Sequence, residues 1–246
     1  MRIATLAGIP LRLHWSFLGL AGVYVLFVVW TTTPREALQL LFVAVALFGS
    51  VILHELGHAL AARAYGIGTA HITLYPFGGI AAISRMPTSP RQELFIALAG
   101  PAVNFLLVAL SLSLWMVIGG WALVVFGALN LLMGVFNLIP AFPMDGGRIL
   151  RALLADRMGW VPASRFAMGL GQVFALGFLG LGMVTLTPSL LLVGGFLLFA
   201  VILERRRLAW MLALGWRPED EQEIGLPPEP GVDPEPGVDP VVGVHR

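Results

Sequence analysis

Within five residues, His54-Glu55-Leu56-Gly57-His58 supplies two imidazoles and a carboxylate. On an α-helix, residues i and i+4 share a face, so His54 and His58 can offer two ring nitrogens to one metal ion. Glu55 lies one residue on, about 100° round the helix. From there it can exchange a proton with a water at the site without being a ligand itself. The run from about Ala37 to Ala64 that contains the motif is otherwise apolar and of membrane length. Ionisable groups inside such a run are costly, and they mark a functional site by default.

The elements that position these residues follow from composition. Of 246 residues, 58% are hydrophobic and only 12% charged, against roughly 25% charged in a soluble domain. The chain is therefore read as an integral membrane protein. It has no cysteine, which excludes disulfides and thiolate metal sites and leaves His, Asp and Glu as ligands.

Apolar runs place spans over Leu13–Trp30, Ala37–Ala64, Leu94–Ile118, Trp121–Ile139, Phe166–Leu186 and Leu190–Leu203, the last ended by Arg205-Arg206-Arg207. Trp15 and Trp30 sit at the ends of the first span as interfacial anchors. Between the second and third spans, His71–Tyr75 and Ile80–Ile83 flank Pro76-Phe77-Gly78-Gly79, which reads as a short β-hairpin. Met1 to Arg12 is a short basic lead. Gly146 to Met158 sets Ile149, Leu150, Leu153 and Leu154 opposite Arg148, Arg151 and Arg157, as in an interfacial amphipathic helix. The expected fold class is an all-α polytopic membrane protein of about six transmembrane helices with one short β-hairpin. Residues 1–205 form its membrane domain. Residues 206–246 form a cytosolic tail, acidic and proline-rich with Glu-Pro-Gly-Val-Asp-Pro twice in tandem, expected to be disordered from 218.

All fifteen basic residues are arginines. With both termini in the cytosol, only Arg35 falls on the far side, so the positive-inside rule selects that orientation. His54 and His58 then lie roughly 7–14 Å below the cytosolic boundary marked by Arg63, at 1.5 Å per helical residue. The fourth span ends at the same membrane face. There Pro140 and Pro143 break the helix just before Asp145-Gly146-Gly147. A broken helix at membrane depth is tolerated where it lines a cavity. Asp145 is thus the best candidate for a third ligand; the competing reading is a carboxylate that caps the following helix.

The pair His54-Glu55-x-x-His58 and Asn137-x-x-Pro140-x-x-x-x-Asp145-Gly146 resembles the site-2 protease family of intramembrane zinc metalloproteases. Gly8-Ile9-Pro10-Leu11-x-x-His14-Trp15 and Ala99-Gly100-Pro101-x-x-Asn104 resemble its compact branch, typified by the sporulation factor that cleaves a membrane-tethered pro-sigma factor. The likeness covers about residues 1–205. It implies a catalytic core of spans 37–64, 94–118 and 121–139, with the flanking spans a candidate gate. It implies Zn2+ held by His54, His58 and Asp145, with Glu55 as general base and Asn137 binding substrate backbone or stabilising the oxyanion. The substrate implied is a peptide bond in or near a transmembrane segment, and the hairpin would offer an edge to which an unwound segment adds. Residues 65–93 are too few for a PDZ domain and no CBS pair follows the last span, so regulation by either is not expected.

Expected partners are the bilayer and a membrane-protein substrate of single-pass type, with a second copy or a regulatory membrane protein left open and no nucleic acid. The expected location is a prokaryotic plasma membrane. Two other readings remain at this stage: a metal-ion transporter using the same ligands, and a non-catalytic protein that binds membrane clients. Asn104 is read as a helix–helix hydrogen-bonding residue and Glu93 as a capping or pairing residue.

Overall fold

The structure, a computed structural model, describes residues 1–75 and 78–215. The expected tail from 218 and the Pro76-Phe77 half of the hairpin turn lie outside the described residues. The chain runs β1 (Arg2–Leu6), β2 (Ile9–Leu13), α1 (Trp15–Thr31), α2 (Pro34–Ala64), β3 (Thr69–Tyr75), β4 (Gly78–Ile83), α3 (Pro90–Ile118), α4 (Trp121–Asn137), α5 (Asp145–Met158), α6 (Trp160–Thr185) and α7 (Pro188–Ala213).

Four of these helices, α2, α3, α6 and α7, are long and apolar enough to cross a membrane, while α1 and α4 are shorter apolar helices of 17 residues each. That length is the lower limit for a span. The expected six spans thus resolve into four full-length helices and two shorter ones. Large apolar side chains such as Phe27, Leu106, Val173 and Phe199 stay exposed on the helices. Patches of this kind have no place in water but suit lipid. The protein is a multi-pass membrane protein.

Local chemistry sets the helix ends. Thr33 and Glu36 form a capping box at the start of α2, with Pro34 in the first turn. Ser89 and Pro90 do the same work for α3. Pro140 and Pro143 follow the end of α4, so the chain turns through 138–144 before α5 begins.

Two expectations need correction. The amino-terminal lead is a β-hairpin, turning through Ala7 and Gly8, both at positive φ, as two-residue turns prefer. Its second strand pairs in parallel with β3 (Leu11↔Ile72), giving one sheet ordered β1-β2-β3-β4. The reason is burial: Ile9 and Leu11 alternate inward to pack with Ile72, Leu74, Phe17 and Ala59. Arg63, at the end of α2, donates to the Ala7 carbonyl at 2.6 Å and ties the hairpin to that helix. The second correction concerns the last helix, which does not stop at Arg205-Arg206-Arg207 but runs on to Ala213. Arginine is a good helix former, and Leu208 beyond it is buried against Phe142, Ala167, Met168 and Val201.

Candidate active site

His54 and His58, 5% and 4% exposed, lie on one buried face of α2 with Ser50. They can approach α3 because α3 is bare there: a Cβ at Gly100 would collide with both imidazole rings. Gly57 allows the same closeness from the α2 side, since its Cβ would fall 2.8 Å from the Ala99 carbonyl oxygen. α3 then fixes the rings. The His58 Nδ1 donates to the Ile96 carbonyl at 2.7 Å, and the His54 Nδ1 lies 2.5 Å from the Asn104 Oδ1. Asn104 is itself fixed from behind. Its amide donates to the Asn130 Oδ1 on α4 at 3.0 Å, and Asn130 donates to the Phe126 carbonyl at 2.9 Å. Both asparagines are fully buried.

These partners decide the tautomers. A carbonyl can only accept, so each Nδ1 carries the proton and each Nε2 presents a lone pair inward. Asp145 arrives from the other side. The Asp145-Gly146-Gly147 segment folds back tightly on 138–142, where side chains at the two glycines would run into the Leu138, Ile139 and Ala141 backbone. The N-cap of α5 is Met144 rather than Asp145, and no side chain caps the helix. That removes the capping reading of Asp145. Its Oδ2 lies 3.1 Å from the Nε2 of His54 and 3.1 Å from that of His58, and the two Nε2 atoms are 3.1 Å apart.

Three acceptor atoms therefore meet in one buried triangle. Such an arrangement repels itself unless a cation shares it, and the three residues form a group able to hold a metal ion. The hydrogen bonds behind the rings are the usual support of metal-bound histidines.

Glu55 packs against β4, where Gly79 lies so close that a Cβ would meet the glutamate side chain. Asn137 is the last residue of α4 and makes no hydrogen bond to His54, His58 or Asp145 among the described residues. Glu93 pairs, as the sequence allowed, with Arg151 of α5. The guanidinium donates through Nε at 2.9 Å and through Nη2, and it lies over the rings of Phe142 and Trp160. Sequence reasoning missed Asn130 altogether and gave Asn104 only its helix–helix role. The signal available was an amide well inside an apolar span, Asn104 in the third and Asn130, with Asn137, in the fourth.

Comparison with known proteins gives a consistent outcome. Peptidase family M50 matches residues 42–120 and 120–180. A zinc metalloprotease of Methanocaldococcus jannaschii is 36% identical over 211 residues, which are 84% of this chain and 60% of that protein. The chain thus spans about three fifths of that relative's length. The solved site-2 protease of Methanocaldococcus jannaschii superposes with a TM-score of 0.65 at 37% identity, covering 83% of this chain and 94% of that one.

Proposed function

The chain belongs to peptidase family M50, and on that premise we propose that it is an intramembrane zinc metalloprotease. It hydrolyses a peptide bond within or near the transmembrane segment of a membrane-tethered protein, of regulatory type and single-pass. The observation that carries this reading is the triangle of two inward lone pairs and one carboxylate oxygen, each edge 3.1 Å. Tetrahedral zinc with ligands at about 2.0–2.1 Å spaces them by about 3.3 Å, so the donor set fits that ion in type and spacing. In this reading His54, His58 and Asp145 hold zinc.

When bound, zinc lowers the pKa of water toward about 7 and polarises the scissile carbonyl. Glu55 takes the proton of the attacking water and returns it to the leaving amine. Gly79 keeps that carboxylate close to β4, an edge strand of the sheet. An unwound client segment adds to this edge as a further strand, its backbone satisfied by β4. Asn137, at the end of α4, serves the substrate backbone or the developing oxyanion rather than the metal. The arginine distribution supports cytosolic termini and a site open to water from the cytosol, and the membrane of residence in this reading is a prokaryotic plasma membrane.

Glu55→Gln tests the reading. The variant retains zinc, and quantitative proteomics of membranes carrying it shows single-pass proteins stabilised relative to membranes with the wild-type protein. Unchanged turnover of every membrane protein in the variant would overturn the assignment. The transporter reading predicts instead zinc flux into proteoliposomes that His54→Ala abolishes. Among the described residues, however, His54, His58 and Asp145 are the one such ligand group, with no second station along a path.

A further inference from the structure

Along β4, beyond the Gly79 that Glu55 meets, lies a cavity of about 1050 Å³, bounded by the His71–Thr73–Tyr75 face of β3, Ile80–Ile83 of β4, the loop to α3, and the facing sides of α5 and α7. It is at the upper limit of small-molecule pockets, which hold about 300–1000 Å³. Its walls carry four arginines (Arg85, Arg148, Arg151 and Arg207) against two carboxylates, Glu93 and Glu204. Glu93 is spent on Arg151. Arg85 reaches the Gly66 carbonyl, at 3.4 Å. Among the described residues, Arg148 and Arg207 have neither a hydrogen bond nor an ion pair. Three guanidiniums therefore face the cavity against one free carboxylate.

We propose that this groove selects an extended client segment bearing an acidic side chain close to the cleaved bond, and that Arg148 is the specificity-determining residue. The inference rests on the protease reading above and narrows its substrate class. The placement argues for it. Arg148 is half-buried, one turn beyond Asp145 on α5, and lines the cavity opposite β4. β4 leaves Glu55 at Gly79 and runs to Ile83, with Arg85 two residues further. A strand added along it advances about 3.3 Å per residue, so four residues carry it roughly 13 Å from the reacting centre toward Arg85. A carboxylate within about five residues of the cleaved bond thus passes Arg148 first and Arg85 later. A guanidinium held among apolar walls gains most from a carboxylate that meets its planar fork with two hydrogen bonds. Lysine cannot reproduce that fork, so Arg148→Lys keeps only part of the selectivity.

The test uses the full chain in proteoliposomes with a pool of single-span peptides, randomised over the eight residues on the cytosolic side of the span. Cleaved products are sequenced by mass spectrometry. The wild-type protein enriches Asp and Glu within five residues of the cleaved bond by about tenfold, the worth of one charge-assisted hydrogen bond. Arg148→Gln brings that enrichment to about one, and Arg148→Glu shifts it to Lys and Arg. Cleavage without acidic enrichment by the wild-type protein overturns the inference and leaves the protease reading standing. So does an acidic preference retained in Arg148→Gln. Absence of any product from zinc-loaded wild-type protein removes the protease reading itself, and this inference with it. Because the wild-type profile alone is decisive, a variant that fails to fold does not blunt the test.

Discussion

Two buried polar clusters lie on either side of α5, and they are built on opposite principles. On one side, Asp145 meets His54 and His58 with three acceptor atoms and no proton among them. On the other, Glu93 and Arg151 complete each other, with the Phe142 and Trp160 rings against the guanidinium. Both clusters cost desolvation. Only the second offsets that cost from within the chain. The first is left short of one positive charge, and it is the one beside Glu55 and the edge strand. The self-sufficient pair holds α5 to the start of α3; the incomplete triangle is positioned by that hold and supplied from outside.

The largest expected effect is on the incomplete cluster. His58→Ala removes one of three donors, so zinc content measured by mass spectrometry of the purified protein falls to background and client cleavage falls below detection. The fold survives, because the helices are held by their apolar contacts and the Glu93–Arg151 pair, and the one bond lost within the chain is that of the His58 Nδ1 to the Ile96 carbonyl. Wild-type protein gains thermal stability with added zinc, by about 2.7 kcal/mol at a hundredfold excess over Kd. His58→Ala gains none.

The self-sufficient cluster breaks in the opposite way. Arg151→Met leaves Glu93 buried without a partner, and loss of one member of a buried pair costs about 3–5 kcal/mol. The melting temperature in detergent drops accordingly, and zinc does not restore it. Glu93→Met together with Arg151→Met recovers most of the loss, since methionine fills the space between the two rings and leaves no charge behind. A double variant no more stable than Arg151→Met alone would show that this pair, too, needs something beyond itself.

The sequence discloses these clusters unequally, for physical reasons. His54, Glu55 and His58 share one helical repeat, so their common face is a local property of the chain. Asp145 is 87 residues from His58, yet legible, because the prolines after α4 and the arginine placement bring the end of that helix to the depth of the histidines. The amino-terminal hairpin escaped because parallel pairing of β2 with β3 joins segments some sixty residues apart. The inward alternation of Ile9, Leu11 and Leu13 was the local trace it left. Arg205-Arg206-Arg207 does not mark the end of α7, because arginine sustains a helix and Leu208 beyond it is buried. Asn137 owes its proposed role to family likeness; the geometry puts it at the end of α4 and gives it no bond to the triangle.

Asn104 sharpens the comparison at its smallest scale. As a helix–helix residue alone, its replacement by an apolar side chain of similar size would cost only the bond its amide donates to the Asn130 Oδ1 and leave zinc affinity unchanged. As the partner of His54, it keeps the proton on Nδ1 and the lone pair on Nε2. Asn104→Leu should therefore lower zinc affinity by about 10–100-fold, as removal of such supporting partners does. A competition titration against a chromogenic chelator measures it. Asn104→Asp keeps an acceptor for Nδ1 and should retain affinity within a few-fold, although it disturbs the bond to Asn130. If both variants lose affinity equally, the role of Asn104 is to join α3 to α4. If only the leucine variant does, the chain of amides from Phe126 to His54 reaches through three helices to decide which nitrogen faces the metal.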